Sequence, residues 1–384
     1  MDDWRIGGFG LYLHWPFCQS KCPYCDFNSH VAAQIDQDRW KRAYLAEIDR
    51  LAGETKGRVL QSVFFGGGTP SLMDPDLISA ILDKVRSSWP QTNDWEVTLE
   101  ANPGSVEAGR FRAYADAGVN RISMGIQALR DDDLRRLGRL HSVAEAKAAF
   151  DVARKAFDRV SFDLIYARQD QSLSAWATEL REALSMAVDH LSLYQLTIED
   201  GTTFGDRFAK GGLKGLPDEE LSADMYDLTQ QICDAAGLPA YEVSNHAAPG
   251  MESRHNLIYW RGGDFLGIGP GAHGRLTLGG DRWATEAPHA PGAWLQKVEA
   301  SQPGEGPRNK VPDAERAHEY LIMGLRLTEG IDLSRYNQIA GAPINYNKIN
   351  DLLDLKMLAK TETGVATTAK GRLVLNAVIR ELAA

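Results

Sequence analysis

The sequence predicts an α/β protein: a partial parallel (β/α) barrel followed by a small, mainly helical C-terminal domain. Three observations carry this prediction. Strand-like segments alternate with helical ones over the first two hundred or so residues, the pattern of a mostly parallel sheet or barrel. Within those strands polar and apolar residues take turns. At 384 residues, the chain is also too long for one ordinary core.

The elements follow in order. "FGLYLHWPF" reads as a short strand. Residues 36–52 read as a helix, with Trp40, Tyr44, Ile48 and Leu51 at helical spacing. "LQSVFFGGGTP" is a strand running into a glycine turn. "WEVTLEANP", "VNRISMGIQ", "DRVSFDLIY" and "DHLSLYQLTI" read as further strands, with helical stretches between most of them. In each the side chains sort into two sets. Ile122, Met124 and Ile126 oppose Arg121, Ser123, Gly125 and Gln127. Val97, Leu99 and Ala101 oppose Glu96, Thr98 and Glu100. Phe162 and Leu164 oppose Ser161 and Asp163, and Leu11 and Leu13 oppose Tyr12 and His14. The apolar set packs on helices. The polar set implies an interior that holds a ligand instead of a packed core. An antiparallel sheet with one wet face shows the same alternation, but the intervening helices argue against it.

After about residue 200 the pattern breaks down. Residues 209–219 read as a Gly/Lys-rich loop, about 217–236 as a helix, 241–274 as a motif-rich segment and "SQPGEGPRNKVPD" (301–313) as a Pro/Gly linker. Ala317, Tyr320, Leu321 and Leu325 then mark an amphipathic helix. The expected units are a barrel (1–210), an extension (211–300) and a C-terminal, winged-helix-like domain (301–384).

Composition narrows function. A net charge of -10 and a pI near 5.5 argue against nucleic-acid or anionic-membrane binding, winged-helix character notwithstanding. The opening "MDDWRIGG" lacks an apolar core, so no secretory signal is expected. No apolar run approaches the roughly 20 residues of a membrane helix, so membrane association is expected only through partners. The expected compartment is the cytoplasm, where thiols stay reduced and clustered cysteines are not a disulfide framework.

Three of the four cysteines fall within "CQSKCPYCDF", in the spacing C-x3-C-x2-C directly after a strand. A zinc site usually takes four ligands, in two knuckles. Cys233, the fourth cysteine, stands over two hundred positions away in a helical stretch and reads as a small buried apolar residue. Three thiolates suit an iron–sulfur cluster with one iron left open for a further ligand. Cys18, Cys22 and Cys25, with Tyr24 before the third, resemble the cluster motif of radical S-adenosylmethionine (SAM) proteins. "GGGTP" (Gly66–Pro70) resembles the motif with which that family holds the SAM amino group. Glycines let the backbone approach a ligand and turn carbonyls toward an ammonium.

The resemblance covers roughly residues 8–380 and points to the coproporphyrinogen III dehydrogenase-like branch. It implies a 4Fe–4S cluster on Cys18, Cys22 and Cys25. It also implies SAM contacts at Tyr12, Tyr24, Gly67, Gly68, Thr69, Glu100, Gln127, Arg139 and Asp163. In this reading Glu100 or Asp163 accepts ribose hydroxyls and Arg139 clamps the SAM carboxylate. One departure is "ARQDQ" (Ala167–Gln171), where the family usually has Gly-Leu-Pro-Gly-Gln or similar.

The oxygen-independent oxidases of this branch carry another cysteine two residues after the third. This chain has Asp26-Phe27, which resembles the HemW group of heme chaperones. "HNLIYW" (His255–Trp260) matches that group's HNxxYW signature. The resemblance implies heme as ligand, His255 on its iron, aromatic surface from Tyr259 and Trp260, and a hemoprotein as acceptor. His273, in a glycine-rich loop, is a candidate second ligand. The competing expectation is an oxidase that takes hydrogen from coproporphyrinogen propionates.

Overall fold

The computed structural model describes residues 3–32 and 34–383, so Met1 and Asp2 of the acidic opening lie outside them. Strand β1 (Phe9–Trp15) is followed by β2 (Phe17–Cys18) and β3 (His30–Val31), a two-residue ladder that closes the cysteine loop. The predicted strands then appear as β4 (Leu60–Gly67), β5 (Gln91–Ala101), β6 (Arg121–Gln127), β7 (Arg159–Tyr166) and β8 (His190–Gln195). The neighbours β1-β4-β5-β6-β7-β8 all pair in parallel, with helices in the connections. The expected helix runs Gln37–Glu54, capped by the Asp36 carboxylate, which accepts from the Arg39 amide at 2.9 Å.

The alternation resolves as expected on its apolar side. Leu11, Leu13, Val97, Leu99, Ile122, Met124, Ile126, Phe162 and Leu164 are buried in one core with residues of the surrounding helices, among them Tyr44, Ile48, Ile78, Phe111, Phe150 and Trp176. Each such side chain contributes roughly 1.5–3 kcal/mol relative to exposure. Four aromatics weld the β1 face to helix Pro291–Glu299: Trp15, Trp40, Tyr44 and Trp294, with Trp40 and Trp294 stacked 5.5 Å apart at 3°.

The second half differs from expectation. Strands β9 (Asn245–Ala247), β10 (Asp264–Ile268), β11 (His273–Leu278), β12 (Asp281–Glu286) and β13 (Asn309–Val311) join the same sheet, in the order β13-β12-β11-β10-β1-β4-β5-β6-β7-β8-β9. Strand β10 lies parallel to β1, so the motif-rich segment supplies a neighbour to the first strand. The stretch read as a linker is pinned, not free. Glu305 is buried and salt-bridged to Arg50 and Arg308, while β13 pairs with β12. Proline and glycine signalled the irregular backbone, but not its anchoring to helix Gln37–Glu54.

The C-terminal region holds helices around a small sheet of β14 (Ile331–Asp332), β15 (Leu358–Lys360) and β16 (Gly364–Thr367) with its own core, including Leu321, Leu325, Ile349, Leu352 and Val378. It docks through Asp3, which pairs with Arg335 at 2.7 Å and Arg316 at 2.9 Å, and through the Thr328 amide, which donates to the Tyr241 carbonyl at 3.0 Å.

The departure "ARQDQ" also acquires a physical reason. Ala167 and Asp170 take left-handed φ of 57° and 58°, normally glycine territory. Buried Arg168 holds this turn by pairing with Glu179 and with Asp133 at 2.9 Å. The other Glu179 oxygen accepts from the Leu129 amide at 2.7 Å. Replacing Glu179 with alanine leaves the buried guanidinium only the half-buried Asp133 as an acid partner and strands the buried Leu129 N–H. We predict a loss of about 3 kcal/mol, read as a lower urea midpoint at unchanged slope.

Candidate functional site

A cavity of about 830 Å³ opens where β4, β5, β6, β7 and β8 end. Cys18, Cys22 and Cys25 line it, each half-buried. Their loop is held by one local and one long-range bond: the Cys25 amide donates to the Cys22 carbonyl at 3.2 Å, and the Phe204 amide donates to the Pro23 carbonyl at 2.8 Å. Burial pushes the Cys18 and Cys25 thiols above their ordinary range.

The glycine turn fits against this loop. The Gly68 amide donates to the Trp15 carbonyl at 2.6 Å and the Thr69 amide to the Phe17 carbonyl at 2.8 Å. A Cβ on Gly68 would stand 2.6 Å from the Phe17 carbonyl oxygen, and one on Gly67 (φ 110°) would stand 2.7 Å from the His14 ring. The two glycines are therefore required by packing before any ligand is considered.

A closed chain of polar contacts joins two of the cysteines. Thr69 Oγ1 donates to Cys18 Sγ at 3.4 Å, and Asn102 Nδ2 donates to Thr69 Oγ1 at 2.8 Å. Arg139 donates to Asn102 Oδ1, to the Gly125 carbonyl at 2.8 Å and to Cys22 Sγ at 3.4 Å. The sequence reading overlooked Asn102. Its signal was available, because period two along "WEVTLEANP" places it on the inner face with Glu96, Thr98 and Glu100. His141, which carries no distinguishing signal in the sequence, also lines the cavity and bonds through Nε2 to the Ile126 carbonyl at 3.1 Å.

Two carboxylates face the interior. Glu100 accepts from the Gly67 amide at 3.3 Å, and Asp163 accepts from Ser123 Oγ at 3.3 Å. Burial, reinforced by the Asp163 charge, pushes Glu100 up to about 8. Burial likewise raises Asp163 to about 6, against the pull of Ser192, Arg121 and Ser123. Gln127 ends β6 with a left-handed φ of 74°, where the β6–β7 register shifts, and it too lines the cavity. A strained non-glycine residue at a cavity wall is a recurrent feature of binding sites.

The cavity lining thus brings together Cys18, Cys22, Cys25, Tyr24, Gly67, Gly68, Thr69, Glu100, Gln127, Arg139 and Asp163. Tyr12 and His255 are not in it. Tyr12 bonds His14 Nδ1 at 3.0 Å and stacks on Phe64 and His255. His255 is buried in the lower layer of the barrel, with Ser62 Oγ 2.7 Å from Nδ1 and the Tyr259 hydroxyl bonded to Nε2. Phe64 covers its face at 5.0 Å, and burial drives its pKa down to about 3, so the ring is neutral. In this structure neither ring nitrogen is open to a ligand. Tyr259 packs edge-on against His255 and Phe265, and Trp260 lies beside Arg326. His273 is exposed on β11.

The polar inner face therefore divides in two. Its upper part lines the cavity. Its lower part is filled by the protein's own groups: Arg121 with Thr98 and Ser161, and His255 with Ser62 and Tyr259. Alternation alone does not separate ligand-facing from self-satisfied polar residues.

The donor set fits an iron–sulfur cluster. Three thiols from one loop share one wall of a cavity, and two of them receive hydrogen bonds that stabilise thiolates. Among the described residues no group of three His, Cys, Asp or Glu side chains is placed to hold a single metal ion. Thiols bound to separate irons of one cluster need no such convergence.

Comparison with known proteins agrees. Residues 12–177 match the model of the radical SAM superfamily and residues 311–374 that of the HemN C-terminal domain. The heme chaperone HemW of Haemophilus influenzae is 36% identical over 98% of both chains. That of Escherichia coli is 44% identical over 71% of this chain and 72% of its own.

The chain belongs to the HemW family.

Another relative is the mitochondrial radical S-adenosyl methionine domain-containing protein 1 of Bos taurus, 37% identical over 97% of this chain and 86% of that protein. This chain shares its fold with the coproporphyrinogen III oxidase HemN of Escherichia coli. That structure superposes with a TM-score of 0.81 over 98% of this chain and 90% of its own, at 22% identity.

The raised carboxyl of Glu100 has a measurable consequence. Its folded-state value, about 8, lies above its ordinary 4.5, so the fold favours the protonated form. Stability of the cluster-free protein therefore falls as pH rises between those values. Asp163, raised from 3.8 to about 6, adds a contribution of the same sign at lower pH. Glu100→Gln is expected to melt higher than wild type at pH 8, with the difference vanishing toward pH 4.5.

Proposed function

We propose that this chain is a cytoplasmic heme chaperone that binds a 4Fe–4S cluster, SAM and heme and passes heme to an acceptor hemoprotein. The observation that carries the reading is full-length similarity to proteins named heme chaperone HemW, in a chain that keeps the HNLIYW signature. Asp26-Phe27 after the third cysteine supports it over the oxidase reading.

Cys18, Cys22 and Cys25 would hold the cluster, whose open iron supplies a coordination site for the SAM amino and carboxylate groups. Arg139, already on Cys22 Sγ, is placed to neutralise a carboxylate beside the cysteines. The carbonyls of Gly66–Gly68 suit an ammonium, and Glu100 and Asp163 suit ribose hydroxyls. Among the described residues no helix is long and apolar enough to cross a membrane. The net charge of -10 disfavours nucleic acid as a partner.

The HNLIYW helix, Arg254–Trp260, is proposed to serve heme. His255 is neutral, the form that ligates iron. Ligation requires Tyr259 to release Nε2 and the layer of Phe64 and Tyr12 over the ring to open. Tyr259→Phe is accordingly expected to raise heme affinity, and His255→Ala to lower it, with the iron content of both unchanged.

The decisive assay supplies reconstituted protein with heme and, separately, with coproporphyrinogen, SAM and a reductant. Stable heme retention without protoporphyrinogen formation is expected. Turnover by wild type would make the chain an oxidase. Alanine at Cys18, Cys22 or Cys25 is expected to abolish the cluster. Alanine at Cys233, buried in helix Glu219–Ala235, leaves iron content unchanged.

A further inference from the structure

Two guanidinium groups line the cavity, those of Arg139 and Arg326. Their situations differ. Arg139 is committed to Cys22, Asn102 and the Gly125 carbonyl. Arg326 comes from the C-terminal region and faces the cavity beside Val243 and Ser244, next to the β8 edge. Among the described residues its side chain makes no hydrogen bond or ion pair, and its buried Nε–H has no partner. Arg326 is half-buried and only its Nε–H is enclosed, so an anionic ligand in the cavity would supply the partner that this donor lacks.

The contact that fixes it is aromatic. The Arg326 guanidinium carbon lies 5.0 Å from the centre of the Trp260 ring. Stacking restrains the guanidinium while leaving its N–H edge free for the two-point grip that suits a carboxylate. Trp260 is the last residue of HNLIYW, so the signature reaches the cavity through this arginine.

The mouth is mixed: the exposed carboxylates of Asp26, Glu145 and Glu199 share it with large apolar side chains. Phe27, Leu140 and Tyr194 line it and are 59%, 74% and 42% exposed. Large apolar side chains left this open around a cavity suit a flat apolar ligand. The volume, about 830 Å³, is at the upper end of the range for small-molecule sites.

We infer that Arg326 is the carboxylate-recognition residue of this cavity, held in position by Trp260, and that its ligand is a porphyrin bearing free propionates. The inference rests on the heme-chaperone reading and adds to it the residue that selects the acidic side chains. SAM also carries a carboxylate, but Arg139 beside the cysteines is placed to take it.

The test compares hemin with hemin dimethyl ester, whose propionates are blocked, on cluster-loaded protein. Wild type is expected to bind hemin about tenfold more tightly than the ester. Arg326→Gln is expected to lose that preference, binding both at the level of the ester, while its SAM affinity and iron content stay at wild-type values. Arg326→Lys recovers part of the preference. Trp260→Leu reduces the preference as well as the affinity, which a merely structural role would not do. Equal binding of hemin and ester by wild type overturns the inference, as does a preference that survives in Arg326→Gln. A loss of SAM affinity instead of hemin affinity would assign the arginine to SAM and overturn it too. Iron content and circular dichroism establish that each variant is folded. Wild type that binds neither porphyrin would defeat the chaperone reading itself and this inference with it.

Discussion

The site depends on the close approach of two backbone segments. The end of β4 and the turn after it pack against His14, Trp15 and Phe17 so tightly that there is no room for a Cβ at Gly67 or Gly68. Two amide–carbonyl bonds, Gly68 to Trp15 and Thr69 to Phe17, lock the contact. Because Cys18 follows Phe17 directly, this contact fixes where the cysteine loop leaves the barrel. It also delivers Thr69 to Cys18, and through Asn102 and Arg139 it reaches Cys22. A glycine motif that reads as ligand-binding is thus first a packing device, and its orientation toward a ligand follows from that packing.

A second constraint is the division of the barrel interior. Glu100 and Asp163 face the cavity, and Arg121 beneath them is buried against Thr98 and Ser161. Its charge lowers both carboxyls, yet burial outweighs it. Two acids kept partly protonated can donate as well as accept, which suits hydroxyl-bearing ligands. Below them His255, Ser62, Tyr259, Tyr12 and Phe64 form a closed aromatic and polar layer. The HNLIYW helix forms part of the floor of the barrel, and its last residue touches Arg326 at the cavity's side.

Much of this was legible in the sequence. Period two sorted the faces of β1, β5, β6 and β7 correctly, because helices cover one side and must find apolar residues there. The three cysteines and the glycine turn were legible because their chemistry is local. What escaped depended on distant partners. Strand β10 is five residues long, and only its pairing with β1, over 250 positions earlier, makes it part of the sheet. Glu305 sat in a Pro/Gly stretch that reads as a linker until Arg50 is placed beside it. The alternation could not show that His255 would be enclosed by Ser62 and Tyr259, since an enclosed histidine and an open one have the same neighbours in sequence. Asn102 was within reach, one step further along a pattern already recognised.

The central claim is that the Gly68–Phe17 approach places the cysteine loop. It is tested most directly by the iron and sulfide content of anaerobically reconstituted Gly68→Ala beside wild type, with circular dichroism recorded on both. The account predicts a folded variant that retains little or no 4Fe–4S cluster although all three cysteines are present. A folded Gly68→Ala protein with the full wild-type cluster would contradict it.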